Sequence, residues 1–553
     1  MAALPDGTVV DDVWKACAYG DMAKLRQYVA EDPTLVNAPD KTGFVPLQWA
    51  ALNNRVAAAA FLIEKGAAVN ATDGESQTAM HWACVRGSLP TAECLLRNGA
   101  RLDILDSRGY TPTHVAAQYG HTGMIYHFKT RWDADVDAAD GDGRTPLHWA
   151  AYKGAFSFTL VPIRFPDAVK LLLFCEADVM KQDSEGCTPL HWAAIRGKAE
   201  AAHTLAQAGG VAVLSATDAD GNTPPQLATD KGHAGLGGFL AKTRSRLTNK
   251  KGKFWREKGM AVACFALIVG LVLTFATRVM LAPGLPPLTG APYFWSLCVI
   301  ALASYGLYVM YKVSYCDPGF VKIGHVPAGM MRELDASGGW REDGSRAELT
   351  PETRRLHHPE LKAGNWSALC TTCKIVKPWG VKHCSTTNRC VYRFDHYCPW
   401  MGNVIGKKNH RDFLIFLCLE NAAMAISFCV ALGRLNAVGP PMAWWTHAWI
   451  VIFLIWDACV LLPVLGLAAA QTHQAMENIT TNELANAHRY AYLRDEHGKF
   501  RNPFDRGSKL KNLAGFCAQR NDEEKTQARW AMNKSEMEGL IGGGGRGGGD
   551  SMV

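Results

Sequence analysis

Cys370 to Phe413 reads CTTCKIVKPWGVKHCSTTNRCVYRFDHYCPWMGNVIGKKNHRDF. Cys370, Cys373, Cys384, Cys390 and Cys398 crowd into this stretch, with Cys418 just beyond and His383 and His396 among them. An apolar run begins at Phe413. A cysteine-rich segment set against a membrane helix is a metal module, a thiol active site, or both. Cys370-x2-Cys373 is a zinc half-site that His383 and Cys390 can complete, because three thiolates and one imidazole suit tetrahedral Zn2+. The other reading is that these are merely buried small residues. The stretch has few apolar residues to form its own core, so such a site would fold it, and the zinc would be structural. Asp395-His396-Tyr397-Cys398 places a carboxylate, an imidazole and a thiol within four residues. A cysteine reacts as the thiolate, and needs a base or a positive neighbour to do so at neutral pH. His396 can take that proton, and Asp395 can orient the imidazole. The alternative is that Cys398 is another zinc ligand.

Outward from this stretch, the chain has 553 residues, enough for several domains. Its net charge of +7 is modest. Met1 to Asp12 lacks a basic region followed by an apolar core, so no signal peptide is expected. The 17 cysteines are odd in number and scattered, which argues against a secreted disulfide framework and for a reduced, cytosolic metal site.

The first half repeats. Val45-Pro46-Leu47-Gln48-Trp49-Ala50 returns in altered form at Thr78, Thr111, Thr145, Thr188 and Thr223, at spacings of 33, 33, 34, 43 and 35 residues. The series resembles the ankyrin repeat. Pro in the first helical turn loses no hydrogen bond there, and Gly-containing turns such as Asp106 to Gly109 join the units. The longest spacing implies an insertion near Ala155 to Pro166. Val13 to Asn37 reads as an N-terminal cap. Such stacks offer a concave protein-binding face. Trp49, Trp82, Trp149 and Trp192 recur at one repeat position, either as repeat core or as an aromatic strip for a partner peptide.

Lys242 to Lys258 holds eight Lys or Arg and one Glu. Apolar runs long enough to span a bilayer follow at about Met260 to Leu281, Tyr293 to Tyr311, Phe413 to Gly433 and His447 to Ala470. The basic flank places the ankyrin array in the cytosol. Parity then puts the cysteine-rich stretch and the tail there too, so the sequons at Asn365 and Asn478 are expected to stay unglycosylated. Glu420 and Asp457 fall inside spans, where a carboxylate is costly and faces the bundle interior. Ala422, Ala423 and Ala425 would leave room for an acyl chain or let helices approach closely. Gly542 to Gly549 is a flexible low-complexity run.

The cysteine-rich stretch resembles that of the DHHC protein S-acyltransferases, the palmitoyltransferases. His383-Cys384, Cys398-Pro399-Trp400, Asn403, Gly406, Asn409 and Phe413 fall on the family pattern. Asp317-Pro318-Gly319 looks like its motif after the second span. Thr480-Thr481-Asn482-Glu483 looks like the one after the fourth. Asn502-Pro503-Phe504-Asp505, Asn512 and Phe516 look like its C-terminal motif. With the repeats, the chain resembles the ankyrin-type subgroup, which includes the yeast Akr, animal huntingtin-interacting and plant tip-growth-defective proteins.

The resemblance implies an all-α protein: an ankyrin solenoid, then a four-helix transmembrane bundle with a cytosolic zinc-binding cysteine-rich domain. The expected divisions are the array with its cap (1–241), a basic linker (242–259), spans one and two with the Asp-Pro-Gly turn (260–319), a cytosolic loop (320–412, core 370–412), spans three and four (413–470) and a tail (471–553). The implied activity moves a long-chain acyl group from acyl-CoA, such as palmitoyl-CoA, to cysteines of proteins recruited by the array. Cys398 would carry the acyl group, with His396 as base and Asp395 as its partner. Eight Lys or Arg between Cys370 and Asp412 could meet CoA phosphates or anionic headgroups. Zinc at Cys370, Cys373, His383 and Cys390 matches the family's first site. Its second site would pair Cys384 with three further ligands, but Thr387, Tyr397 and Val404 stand at those positions, so a second zinc is not expected. Golgi or a related endomembrane is the family location, and no nucleic acid is expected as a partner. The competing reading is a non-catalytic, membrane-anchored ankyrin adaptor stapled by zinc. Cys398 discriminates the two, since an adaptor tolerates Ser there.

Overall fold

The computed structural model describes residues 10–153, 165–249, 252–282, 285–323, 356, 358–436, 444–495 and 497–519. The expected insertion near 155–166 lies almost wholly outside these residues, and the Gly-rich run at 542–549 does so entirely. The described residues group into two compact units: those of 1–249 with 324–376, and those of 250–323 with 377–553.

In the first unit, helix pairs stack side by side. Val13–Tyr19 and Met22–Glu31 form the capping pair, and Pro46–Leu52, Ala79–Arg86, Pro112–Tyr119, Pro146–Lys153, Pro189–Ile195 and Pro224–Asp230 open successive repeats. The recurring Thr and His have a specific task. Thr78, Thr111 and Thr188 cap their helices, and the His three residues on closes the capping box. Its ring Nε2 then meets a carbonyl of the next repeat: His81 with Tyr110 O at 2.9 Å, His114 with Arg144 O at 3.0 Å, His148 with Cys187 O at 3.0 Å and His191 with Asn222 O at 3.2 Å. Each Trp of the series donates its indole N–H to the Asp nine residues earlier: Trp49 to Asp40, Trp82 to Asp73, Trp149 to Asp140 and Trp192 to Asp183, at 2.8–3.0 Å. The half-buried indoles are thus tied into their own repeats.

The same unit includes the segment that leads into the cysteine-rich stretch. Leu356, Leu361, Leu369 and Val376 join the buried core of the array. Tyr126 donates its hydroxyl to Leu356 O at 2.6 Å and packs against Trp366. Lys374 donates to Leu173 O.

In the second unit, four helices are long and apolar enough to cross a membrane: Phe254–Met280, Gly290–Tyr315, His410–Asn436 and Ala448–Glu477. Much of the basic stretch 242–258 is itself helical. Ala234–Thr248 runs through its first half, and Lys253–Thr274 begins in its second. The first span ends in a π-helical turn, Phe275–Met280. Buried Arg434 of the third span donates to Val279 O, Met280 O and Pro286 O at 2.6–3.4 Å, which satisfies carbonyls that a helix end leaves free. The third span packs against both the second and the fourth.

Candidate active site and metal centre

Three two-stranded antiparallel hairpins build the cysteine-rich stretch: β1 (Leu369–Cys370) with β2 (Ile375–Val376), β3 (Lys382–Cys384) with β4 (Arg389–Val391), and β5 (His396–Cys398) with β6 (Asn403–Ile405). The β3–β4 register sets His383 opposite Cys390. The ligand atoms of Cys370, Cys373, His383 and Cys390 all lie within 4.8 Å of one another. The Cys373 N–H donates to Cys370 Sγ at 3.4 Å, a bond that suits a thiolate. Tetrahedral bonds of about 2.3 Å put ligand atoms roughly 3.8 Å apart, so this donor set fits zinc. Four protein donors, three thiols and one imidazole, match the ligand count of structural zinc sites.

The positions of the family's second metal set hold something else. Cys384, Val391, Phe394 and Val404 form a small buried apolar cluster, with Tyr397 and Phe320 packed on it. Tyr397 pairs with Val404 across β5–β6, and its hydroxyl donates to Glu257 O of the first span's helix at 3.1 Å. Apolar packing and one helix tie occupy the space where ligands would stand.

Asp395, His396 and Cys398 come together at the start of β5. The Asp395 carboxylate is 1% exposed. His396 Nδ1 lies 2.6 Å from its Oδ2. Thr481 donates twice, by its N–H to Oδ1 at 2.6 Å and by its hydroxyl to Oδ2 at 2.9 Å. Burial alone would raise this carboxyl, but the His396 hydrogen bond, the neighbouring His410 and His396 and the Thr481 N–H hold it well below the usual carboxylate range. For His396, burial works against the charged ring. Hydrogen bonds to Asp395 and to Cys398 outweigh it and raise the imidazole to about 9. The site therefore favours the imidazolium that remains once the ring has taken a thiol proton.

Cys398 opens onto a cavity of about 370 Å³ among the four spans. Phe413 lies near the thiol end, its ring 5.7 Å from that of His396. Ser427 and Asp457 line the cavity further in and are joined by a 3.1 Å hydrogen bond. Glu420 lines it between these ends. Both intramembrane carboxyls thus face the bundle interior. Ala423 also lines the cavity, while Ala425 lines a separate groove beside Arg434.

The motif residues brace the β5–β6 hairpin and the chain around it. Asp317 Oδ1 accepts from the N–H groups of Gly319 and Phe320, and its Oδ2 accepts from Lys408 at 2.7 Å. Gly319 has φ 104°, and its carbonyl accepts from Tyr392 N. A Cβ at Gly406 would collide with Pro318 O and Val391, which explains the glycine. Asn403, opposite Cys398 in the register, donates to Val313 O and Cys316 O at the end of the second span. Thr480 and Glu483 form a capping box, and Glu483 pairs with Arg393 at 3.2 Å. Several of the eight basic residues are spent internally: Lys382 on Asn482, Arg389 on Val321 O, Arg393 on Glu483 and Lys408 on Asp317.

Sequence reasoning missed Gln471 and His410. His410 Nε2 lies 2.5 Å from Gln471 Oε1, and Gln471 Nε2 lies 3.4 Å from Asp395 Oδ2. The available signal was Gln471 itself, the first polar residue after the apolar run 458–470 within the fourth-span helix.

The family profile "DHHC palmitoyltransferase" matches residues 365–488, and "Ankyrin repeats (3 copies)" matches 13–106, 80–161 and 163–250. The chain belongs to the ankyrin-repeat DHHC palmitoyltransferases. It is 38% identical over 536 residues to "Probable protein S-acyltransferase 23" of Arabidopsis thaliana, covering 94% of this chain and 95% of that one. It is 29% identical to "Palmitoyltransferase ZDHHC17" of Danio rerio, covering 91% and 87%. Among solved structures, the human ASB11 ankyrin repeat domain matches at 26% identity and a TM-score of 0.36, covering 42% of this chain and 97% of that chain.

Proposed function

We propose that this chain is a protein S-acyltransferase of the palmitoyltransferase type, with Cys398 as the acyl carrier. The observation that carries this is one thiol, Cys398, which lines the apolar cavity and stands two residues from His396 in the same strand, close enough to help raise its imidazole. From Phe413 to Ser427 the third span rises roughly 21 Å, the reach of an extended sixteen-carbon chain.

The steps balance without a further reagent. With Nδ1 committed to Asp395, His396 takes the Cys398 proton on Nε2. The thiolate attacks the thioester carbon of a long-chain acyl-CoA. The carbon–sulfur bond to CoA breaks, and CoA leaves as a thiol with the proton from His396. A cysteine of a substrate protein then gives its proton to His396 and attacks the Cys398 thioester. The acyl group passes to that cysteine, and Cys398 recovers its proton. Asp395 holds the ring orientation throughout and stabilises the imidazolium. Zinc on Cys370, Cys373, His383 and Cys390 supplies structure and takes no part in these steps. The ankyrin array recruits the substrate proteins. The array and the cysteine-rich stretch are cytosolic, on an endomembrane such as the Golgi.

The test is hydroxylamine-sensitive labelling of the full-length protein with alkyne-tagged palmitoyl-CoA, wild type beside Cys398→Ser. A thioester label that disappears in the variant supports the reading. A folded, zinc-loaded wild type that takes no label overturns it in favour of the adaptor.

A further inference from the structure

Asp395 receives hydrogen bonds from two elements besides its own hairpin. Thr481 gives its N–H and its hydroxyl. The fourth span gives Gln471, which is 3% exposed and reaches Oδ2 beside that hydroxyl. The Gln471 amide has one workable orientation. Its Nε2 also meets Gln474 Oε1 at 3.1 Å and Thr481 Oγ1 at 3.2 Å. Turned over, its oxygen would face the Asp395 carboxylate and the Gln474 carbonyl, both acceptors. The carboxylate therefore fixes the amide, and Oε1 points at His410 Nε2, which must carry the proton of that bond.

His410 is held in turn. Its backbone N–H donates to Gly406 O, and the Phe516 ring meets its imidazole edge-on at 5.0 Å. Phe516 belongs to the helix Lys509–Cys517, which Asn512 ties to Met476 O and Arg411 ties through Cys517 O.

We propose that Gln471 and His410 are a positioning pair for Asp395, through which the fourth span and the C-terminal helix fix the orientation of the His396 ring. This rests on the reading of Asp395, His396 and Cys398 as the reacting machinery. Thr481 and Gln471 both donate to the carboxylate, and His410 holds the Gln471 amide that does so. Neither residue is among those lining the cavity at Cys398. The charged and titratable groups facing this centre are Asp395, His396, Cys398, His410 and Arg393, the last neutralised by Glu483.

The test compares full-length Gln471→Met, His410→Phe, the double variant and Phe516→Ala with wild type. Self-acylation by palmitoyl-CoA is followed across pH, with zinc content and melting temperature as controls for folding. Loosening Asp395 lowers the His396 pKa from its raised value. The expected result is that the pH limb governed by His396 moves about one unit down in Gln471→Met, while kcat falls about tenfold and KM for acyl-CoA holds. Gln471→Met and His410→Phe together should cost no more than Gln471→Met alone, and Phe516→Ala should give a smaller shift of the same sign. An unmoved limb in a folded Gln471→Met overturns the proposal, whatever the rate. If Gln471→Met fails to fold, an unmoved limb in His410→Phe decides against it equally. Labelling that persists in Cys398→Ser would instead sink the reading on which the proposal rests, so the two failures are separable.

Discussion

Gly306 of the second span leaves the space that the Glu420 carboxyl of the third span fills. A Cβ at Gly306 would overlap Glu420 Oε1, which is buried without a hydrogen-bond partner. Glu420 also lines the cavity below Cys398, so a side chain at Gly306 drives the carboxyl toward the acyl path. Gly306→Ala should shift acyl preference toward shorter chains, with octadecanoyl over tetradecanoyl loading falling about tenfold. Competition between the two acyl-CoAs, read by mass spectrometry of the Cys398 thioester, checks it. Unchanged ratios would mean that Glu420 moves elsewhere.

Asp395→Asn keeps the shape of the site but removes the charge that raises His396. The contribution of Asp395 is then lost, and the imidazole falls from its raised value. The folded His396 pKa of about 9 lies above the unfolded 6.5, so the stabilisation of its charged form is complete below 6.5 and is lost as pH rises through 9. Wild-type loading should decline on the alkaline side as pH passes about 9. The variant should lose about 10³-fold or more in rate at neutral pH and lose that alkaline limb. A stopped-flow series of thioester formation against pH reads both.

Removal of zinc should unfold the cysteine-rich stretch, because the strands of its hairpins are two or three residues long and bring little core of their own. Cys373→Ser is expected to lower metal content and melting temperature together, and so to abolish loading although Cys398 is intact. Full zinc and full stability in that variant would exclude Cys373 as a ligand.

The capping histidines predict an acid limit for the array. Burial lowers His81, His114, His148 and His191, His148 to about 4. Their neutral form stabilises the fold above about 6.5, and that contribution drains away as pH falls toward 4, at most about 3 kcal/mol for His148. Hydrogen exchange of the full-length protein should show the repeats opening between pH 6.5 and 4. A His148→Gln variant should resist this while keeping the capping box, as Gln48 does in the first repeat.

The repeats, the spans and the Cys and His residues of the candidate sites were readable because each is a local pattern. TPLHWA fixes a helix start, twenty apolar residues fix a span, and ligand spacing fixes a half-site. Asn403, Gln471 and His410 were not readable in their roles, since each acts across 61 to 90 residues of chain. The apolar filling at Cys384, Tyr397 and Val404 was visible as missing ligands, but the Tyr397 bond to Glu257 O was not, because only folding brings the first span beside β5.

Asn403 caps the second span and stands opposite Cys398 in the same hairpin. The Cys398 sulfur is therefore indexed to the end of a transmembrane helix, and for the acyl transfer proposed above its height over the lipid is set by the bilayer rather than by a loop. An acceptor cysteine must come down to that plane to be modified. Geography along the membrane normal then sorts acceptors before any local sequence is read, and a cysteine far from the lipid surface is out of range however well its protein is gripped.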